Sequence, residues 1–102
     1  MEIVVKTDSG IAVASLDDPD DFEHFEVRIV EIELSVAQTL LKTIAVLESD
    51  HAFVEPAGLL LLEGARPENS QWLSQFREMA EYARTRGWVD EKGRIRAHIV
   101  WK

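Results

Sequence analysis

The sequence predicts an α+β fold. A single domain over residues 1–102 holds an antiparallel sheet of four to six strands with two helices packed on one face, in the order β-β-β-α-(β)-α-β-β. Three observations carry this. Short segments of β-branched and alternating apolar residues lie towards both ends of the chain. Two longer stretches, Ser35–Asp50 and Ser70–Arg86, repeat their apolar residues with a helical period. Turn residues separate the strand candidates, as at Thr7–Gly10 and Asp90–Gly93. A length of 102 residues, 46% apolar and 29% charged, suits one globular core.

The first strand is Glu2–Lys6 and the second Ile11–Leu16, joined as a hairpin through Thr7-Asp8-Ser9-Gly10. Asp17-Asp18-Pro19-Asp20-Asp21 is a solvated acidic loop, because Pro19 lacks a backbone donor and four acids surround it. Phe22–Leu34 is the most strand-like segment, but its alternation changes phase. Phe25, Val27 and Ile29 share one face, and Val30, Ile32 and Leu34 the other. One straight strand with one buried face cannot do this, so a bulge or bend is expected near Ile29–Val30.

Ser35–Asp50 reads as the central helix, with Ser35 as N-cap and Gln38 completing a capping box. At about 100° per residue its apolar side chains fill roughly 180° of the circumference, which predicts a helix wedged between the sheet and a second helix. Val46 is the lone apolar residue of the polar arc. Asp50–Ala57 is a loop, and Gly58–Gly64 is a short buried strand in preference to a helical turn. Ser70–Arg86 is an outer helix, capped by Asn69 or Ser70, stopped by Gly87, and buried through Trp72, Leu73, Phe76, Met79, Ala80 and Ala83. Arg77 and Glu81 stand at i, i+4 spacing. Trp88–Val89 and Arg94–Trp101 form a closing hairpin, and the terminal strands are free to meet.

Charge is unevenly spread. Residues 1–63 carry 14 Asp/Glu against 3 Lys/Arg, and residues 64–102 carry 5 against 8, within a net charge of −8. That total argues against non-specific nucleic-acid binding, where phosphate neutralisation dominates affinity. With no cysteine there is no disulfide, thiolate nucleophile or cysteine zinc site. The first residues lack the basic and apolar regions of a signal peptide, and no apolar run has spanning length, so a cytoplasmic protein without membrane contact is expected.

No motif for a catalytic residue, metal or cofactor is present. The cluster Asp17, Asp18, Asp20, Asp21 and Glu23 departs from a calcium loop, having no glycine at the sixth position. His24, His51 and His98 show no chelating spacing, and no phosphate loop or nucleophile elbow occurs. The candidate interaction surface is Arg84, Arg86, Arg94, Arg96 and His98 with Trp88 and Trp101, since cations interleaved with aromatics can grip a ligand by charge and stacking. A structural alternative pairs Arg94, Arg96 and His98 across the sheet with Glu31 and Glu33.

The sequence therefore points first to a small acidic binding or regulatory module, not an enzyme, working through contact with another protein or a second copy of itself. Its acidic half would steer basic partners. Two readings stay beside it: a nucleic-acid contact through the C-terminal Arg/Trp surface, and a small enzyme using His51 or His98 with a carboxylate.

Overall fold

The computed structural model describes residues 1–102. Its first hairpin is built on Ser9-Gly10, whose φ angles of 53° and 80° are both positive. Such two-residue turns match the twist of the strands they join. They join β1 (Glu2–Asp8) to β2 (Ile11–Asp17) in antiparallel register, Ile3 opposite Leu16 and Val5 opposite Ala14.

The acidic stretch and Phe22–Phe25 then carry the chain back, so β3 (Glu26–Ile29) runs parallel to β1. The last strand, β6 (Ile95–Trp101), is also parallel to β3. The complete sheet has six strands in the order β2-β1-β3-β6-β5-β4. It is therefore mixed, not antiparallel. The terminal strands do not meet, because β3 lies between them. The cause is the connection before β3, which stays at one end of the sheet and steps past β1: β2 ends at Asp17 and β3 begins at Glu26 on either side of Glu2, so β3 pairs with β1 and not with β2. The phase change expected near Ile29–Val30 corresponds to a bend, with β3 ending at Ile29 and Glu31 at φ 53°.

The largest departure is at Ser35–Asp50. The helix α1 spans only Leu34–Leu40, capped at Glu33 without a side-chain bond, and the chain then turns into β4 (Ala45–Leu47). Thr43, Ile44 and Val46 are β-branched and favour a strand. Residues His51–Val54, expected to be loop, form β5 and pair with β4 on one side and β6 on the other. The half-circumference apolar arc was thus a short helix followed by a strand. It buries Ala37, Leu41, Ala45 and Leu47, while Val46 faces solvent from the strand. Gln38 does not close a capping box. Its amide Nε2 donates to Ala45 O at 2.9 Å, and its Oε1 accepts from Leu47 N–H at 2.6 Å, so one side chain covers part of an edge strand. Gln38→Ala should lower unfolding free energy by roughly 1–3 kcal/mol and speed hydrogen exchange at the Leu47 amide, since two half-buried backbone groups lose their partners. Unchanged exchange there would contradict this role.

The Gly58–Gly64 segment is not a strand. Pro56 opens a single helical turn, α2 (Pro56–Leu59), at the position where a missing N–H is harmless. A Cβ on Gly58 would lie 2.8 Å from both Ile44 Cα and Thr43 O, so glycine is what lets α2 rest on the α1–β4 turn. The third helix, α3 (Ser70–Thr85), matches expectation. Asn69 accepts from Trp72 N–H at 3.0 Å, and Trp72, Phe76 and Ala83 are buried. Glu81 pairs with Arg84, however, and not with Arg77.

One sheet face carries Ile3, Val5, Val27, Ile29, Ala52, Val54, Ala97 and Ile99 into a core shared with Ala37, Leu41, Leu59, Trp72 and Phe76. The sheet curls, and α1 touches both of its edges, β2 and β4, so it is not wedged under α3. No helix of the chain is long and apolar enough to cross a membrane.

Candidate functional site

Trp88 is placed by local chemistry. The helix α3 ends with Gly87 at φ 77°. Gly87 N–H donates to Arg84 O at 3.2 Å and Trp88 N–H to Ala83 O at 2.9 Å, the paired bonds of a glycine-terminated helix. Trp88 O in turn accepts from Arg96 N–H at 2.8 Å, which ties it to β6. The turn beyond is closed by Asp90, whose carboxylate accepts from Lys92 N–H, Arg94 N–H and Arg94 Nε at 3.0, 2.9 and 2.7 Å. Burial pushes the Asp90 carboxyl up, but these bonds outweigh it and hold the group below the ordinary aspartate value.

Held this way, Trp88 stands beside Tyr82 with ring centroids 5.9 Å apart, edge to face. Both are exposed, Tyr82 at 57% and Trp88 at 39%. The Arg86 guanidinium lies over both rings, 5.9 Å from Tyr82 and 5.6 Å from Trp88. Across from them the loop Phe22–Phe25 runs into β3. Tyr82, Trp88 and this loop, with Met79, Ala83, Ile95 and Arg96, line a cleft of about 530 Å³ where β3 and β6 begin, and Arg86 lies beside it over the Trp88 ring. The far wall is pinned to the body: Trp72 Nε1 donates to Pro19 O at 2.8 Å, and Arg66 Nη1 reaches both carboxylate oxygens of Asp20 at 3.0 and 3.1 Å. At the rim, His24 Nδ1 lies 3.0 Å from Asp21 Oδ2. The Glu23 N–H bond to the Asp21 carboxylate, then the His24 contact, hold that carboxyl below its ordinary value against some burial.

The structure divides the surface expected from sequence. Trp88 and Arg96 line the cleft, Arg86 lies over the Trp88 ring outside that lining, and neither arginine makes an ion pair. Arg84 is engaged by Glu81 and Arg94 by Asp90. His98 sits away from the cleft on the sheet face opposite the core, its ring edge to face with His51 at 5.2 Å. Trp101 is at the other end of β6, where its Nε1 donates to Ser49 O at 2.9 Å. The expected pairing of Arg94, Arg96 and His98 with Glu31 and Glu33 does not form, because β3 ends at Ile29 and Glu26 stands opposite His98. Phe22, Phe25, Tyr82 and His24 were missed. Tyr82 carried the one usable signal, a large ring outside the buried arc of its helix.

A second polar group lies on the sheet face away from the core, where Glu2, Glu26 and His98 occupy neighbouring strands in register. Arg28 Nη2 comes within 2.8 Å of Glu2 Oε2, a charge contact whose angle is not that of a hydrogen bond, so Glu2 Oε2 and Arg28 Nε stay buried without hydrogen-bond partners. A proton shared with the Glu26 carboxyl, then burial, push the Glu2 carboxyl above the ordinary 4.5, with Arg28 opposing. The folded state therefore binds this proton more tightly than the unfolded one. The resulting stability is present below pH 4.5 and fades as pH rises through the raised value. Glu2→Gln should flatten that decline in urea midpoints measured from pH 4 to 7. Parallel wild-type and variant profiles would contradict the assignment. No three His, Asp or Glu side chains are grouped so as to hold a metal ion.

Fold and site together define an α+β chain with a curled mixed sheet and an aromatic cleft flanked by unpaired cations. No known family model, curated protein or solved structure matches it.

Proposed function

We propose that this chain is a small binding module whose cleft docks a segment of a partner protein. The observation that carries this is the exposed Tyr82–Trp88 pair with Arg86 stacked over it, opening on a preformed hollow. Tyr, Trp and Arg are the residues that dominate binding energy at protein interfaces. Here the backbone at Trp88 is held by the end of α3 and its bond to β6, and the three side chains already rest on one another, so less side-chain order would have to be gained on binding. The steering of a basic partner by the acidic half remains a separate proposal about encounter rate, read from the salt dependence of association.

The test is selection of a displayed random-peptide library on wild type and on Trp88→Ala. The module reading expects enriched sequences on wild type that weaken by about tenfold or more on the variant, the range of an aromatic hot spot. Enrichment that is equal on both proteins, or absent from both, overturns it.

A further inference from the structure

We infer that the cleft selects an acidic peptide segment: one bulky apolar side chain seats against Tyr82, Trp88 and the Phe22–Phe25 loop, and a carboxylate beside it meets Arg86 or Arg96. This rests on the binding reading above and names its ligand class. Arg84 and Arg94 are already engaged by Glu81 and Asp90. Arg86 and Arg96 are not, so their guanidinium donors are left for an incoming group, and that planar fork matches a carboxylate two bonds at a time. Arg86 is also restrained by lying over two rings, which lowers the entropy lost when it binds.

Two other occupants fit less well. A basic segment would be drawn to the N-terminal half at long range and would find Glu23 in the lining, but it would meet Arg96 there and Arg86 over the Trp88 ring beside it. A nucleic-acid strand stacks well on aromatics, yet its successive phosphates would run past Asp20, Asp21 and Glu23 at the rim of a chain of net charge −8. A single carboxylate needs a favourable field only over about one Debye length, near 10 Å at 0.1 M salt.

The experiment uses the peptides selected above and forms of them with every Asp and Glu replaced by Asn and Gln. Fluorescence anisotropy then gives affinities for wild type and for R86Q/R96Q. The expected result is Asp or Glu enriched next to an aromatic or large aliphatic residue. The amide forms should bind wild type about tenfold or more weakly, as for loss of a charged hydrogen-bonded contact, and R86Q/R96Q should remove most of that difference. Trp88-dependent peptides that are neutral or basic would overturn the acidic class and leave the docking cleft standing. So would acidic peptides whose preference survives in R86Q/R96Q. A labelled oligonucleotide that binds more tightly than any peptide, and is lost in Trp88→Ala, would move the cleft to the nucleic-acid class. Absence of any Trp88-dependent ligand would remove both readings.

Discussion

Gly64→Ala is expected to destabilise the chain by about 3 kcal/mol or more, through overlap added to backbone strain. Gly64 sits at φ +99°, and a methyl group built there would overlap Leu16 O. Leu16 is buried in the core, and its N–H donates to Glu63 O at 2.7 Å, which holds residues 63–64 against the outer edge of β2. Alanine would have to push that segment away and lose the bond. Gly10→Ala supplies the control, because Gly10 has a similar positive φ of +80° but open space around it. Urea unfolding should show only about 1–2 kcal/mol for Gly10→Ala, the ordinary penalty of left-handed backbone. Equal losses for the two variants would mean that the edge contact contributes nothing.

Trp72→Ala should lose about 3–5 kcal/mol, the range for removing a buried aromatic. Trp72 is 3% exposed, stacks on Phe76 at 5.5 Å with planes 3° apart, and touches Phe22 at 6.1 Å. Trp72→Phe keeps most of the apolar contact and drops the bond to Pro19 O, so about 1 kcal/mol is expected. The two variants separate stability from site geometry. Phe22 lines the cleft, so Trp72→Phe should weaken a Trp88-dependent peptide while leaving the fold intact. If Trp72→Phe binds like wild type, the Pro19 bond does not position the cleft wall.

The α3 helix was fully legible in the sequence, because Asn69, Gly87 and a narrow apolar stripe all agreed on it. The first hairpin was legible for the same reason. The Ser35–Asp50 stretch failed because a short helix and a strand happen to place apolar residues on a continuous arc. Its unusual width was the warning, together with the β-branched Thr43, Ile44 and Val46. The parallel pairing of β3 was not readable, since nothing local distinguishes a loop that steps past β1 to its other side from one that closes a hairpin on β2. At the site, the basic–aromatic character of residues 84–101 was visible, but which members act together was not. Trp88 and Arg96 share the cleft, with Arg86 over the Trp88 ring, because a helix end and a strand start lie side by side. Phe22 and Phe25 join them from about 60 residues away, through the β2–β3 connection whose course past β1 sequence could not show.

The most direct measurement is amide and side-chain chemical-shift mapping of the labelled protein with a selected peptide. Docking in the cleft predicts that the largest changes cluster at Phe22–Phe25, Tyr82, Trp88 and Arg96, with the indole N–H of Trp88 moving and that of Trp101 still. Changes centred on His51, His98 and Arg28, on the sheet face away from the core, would contradict it.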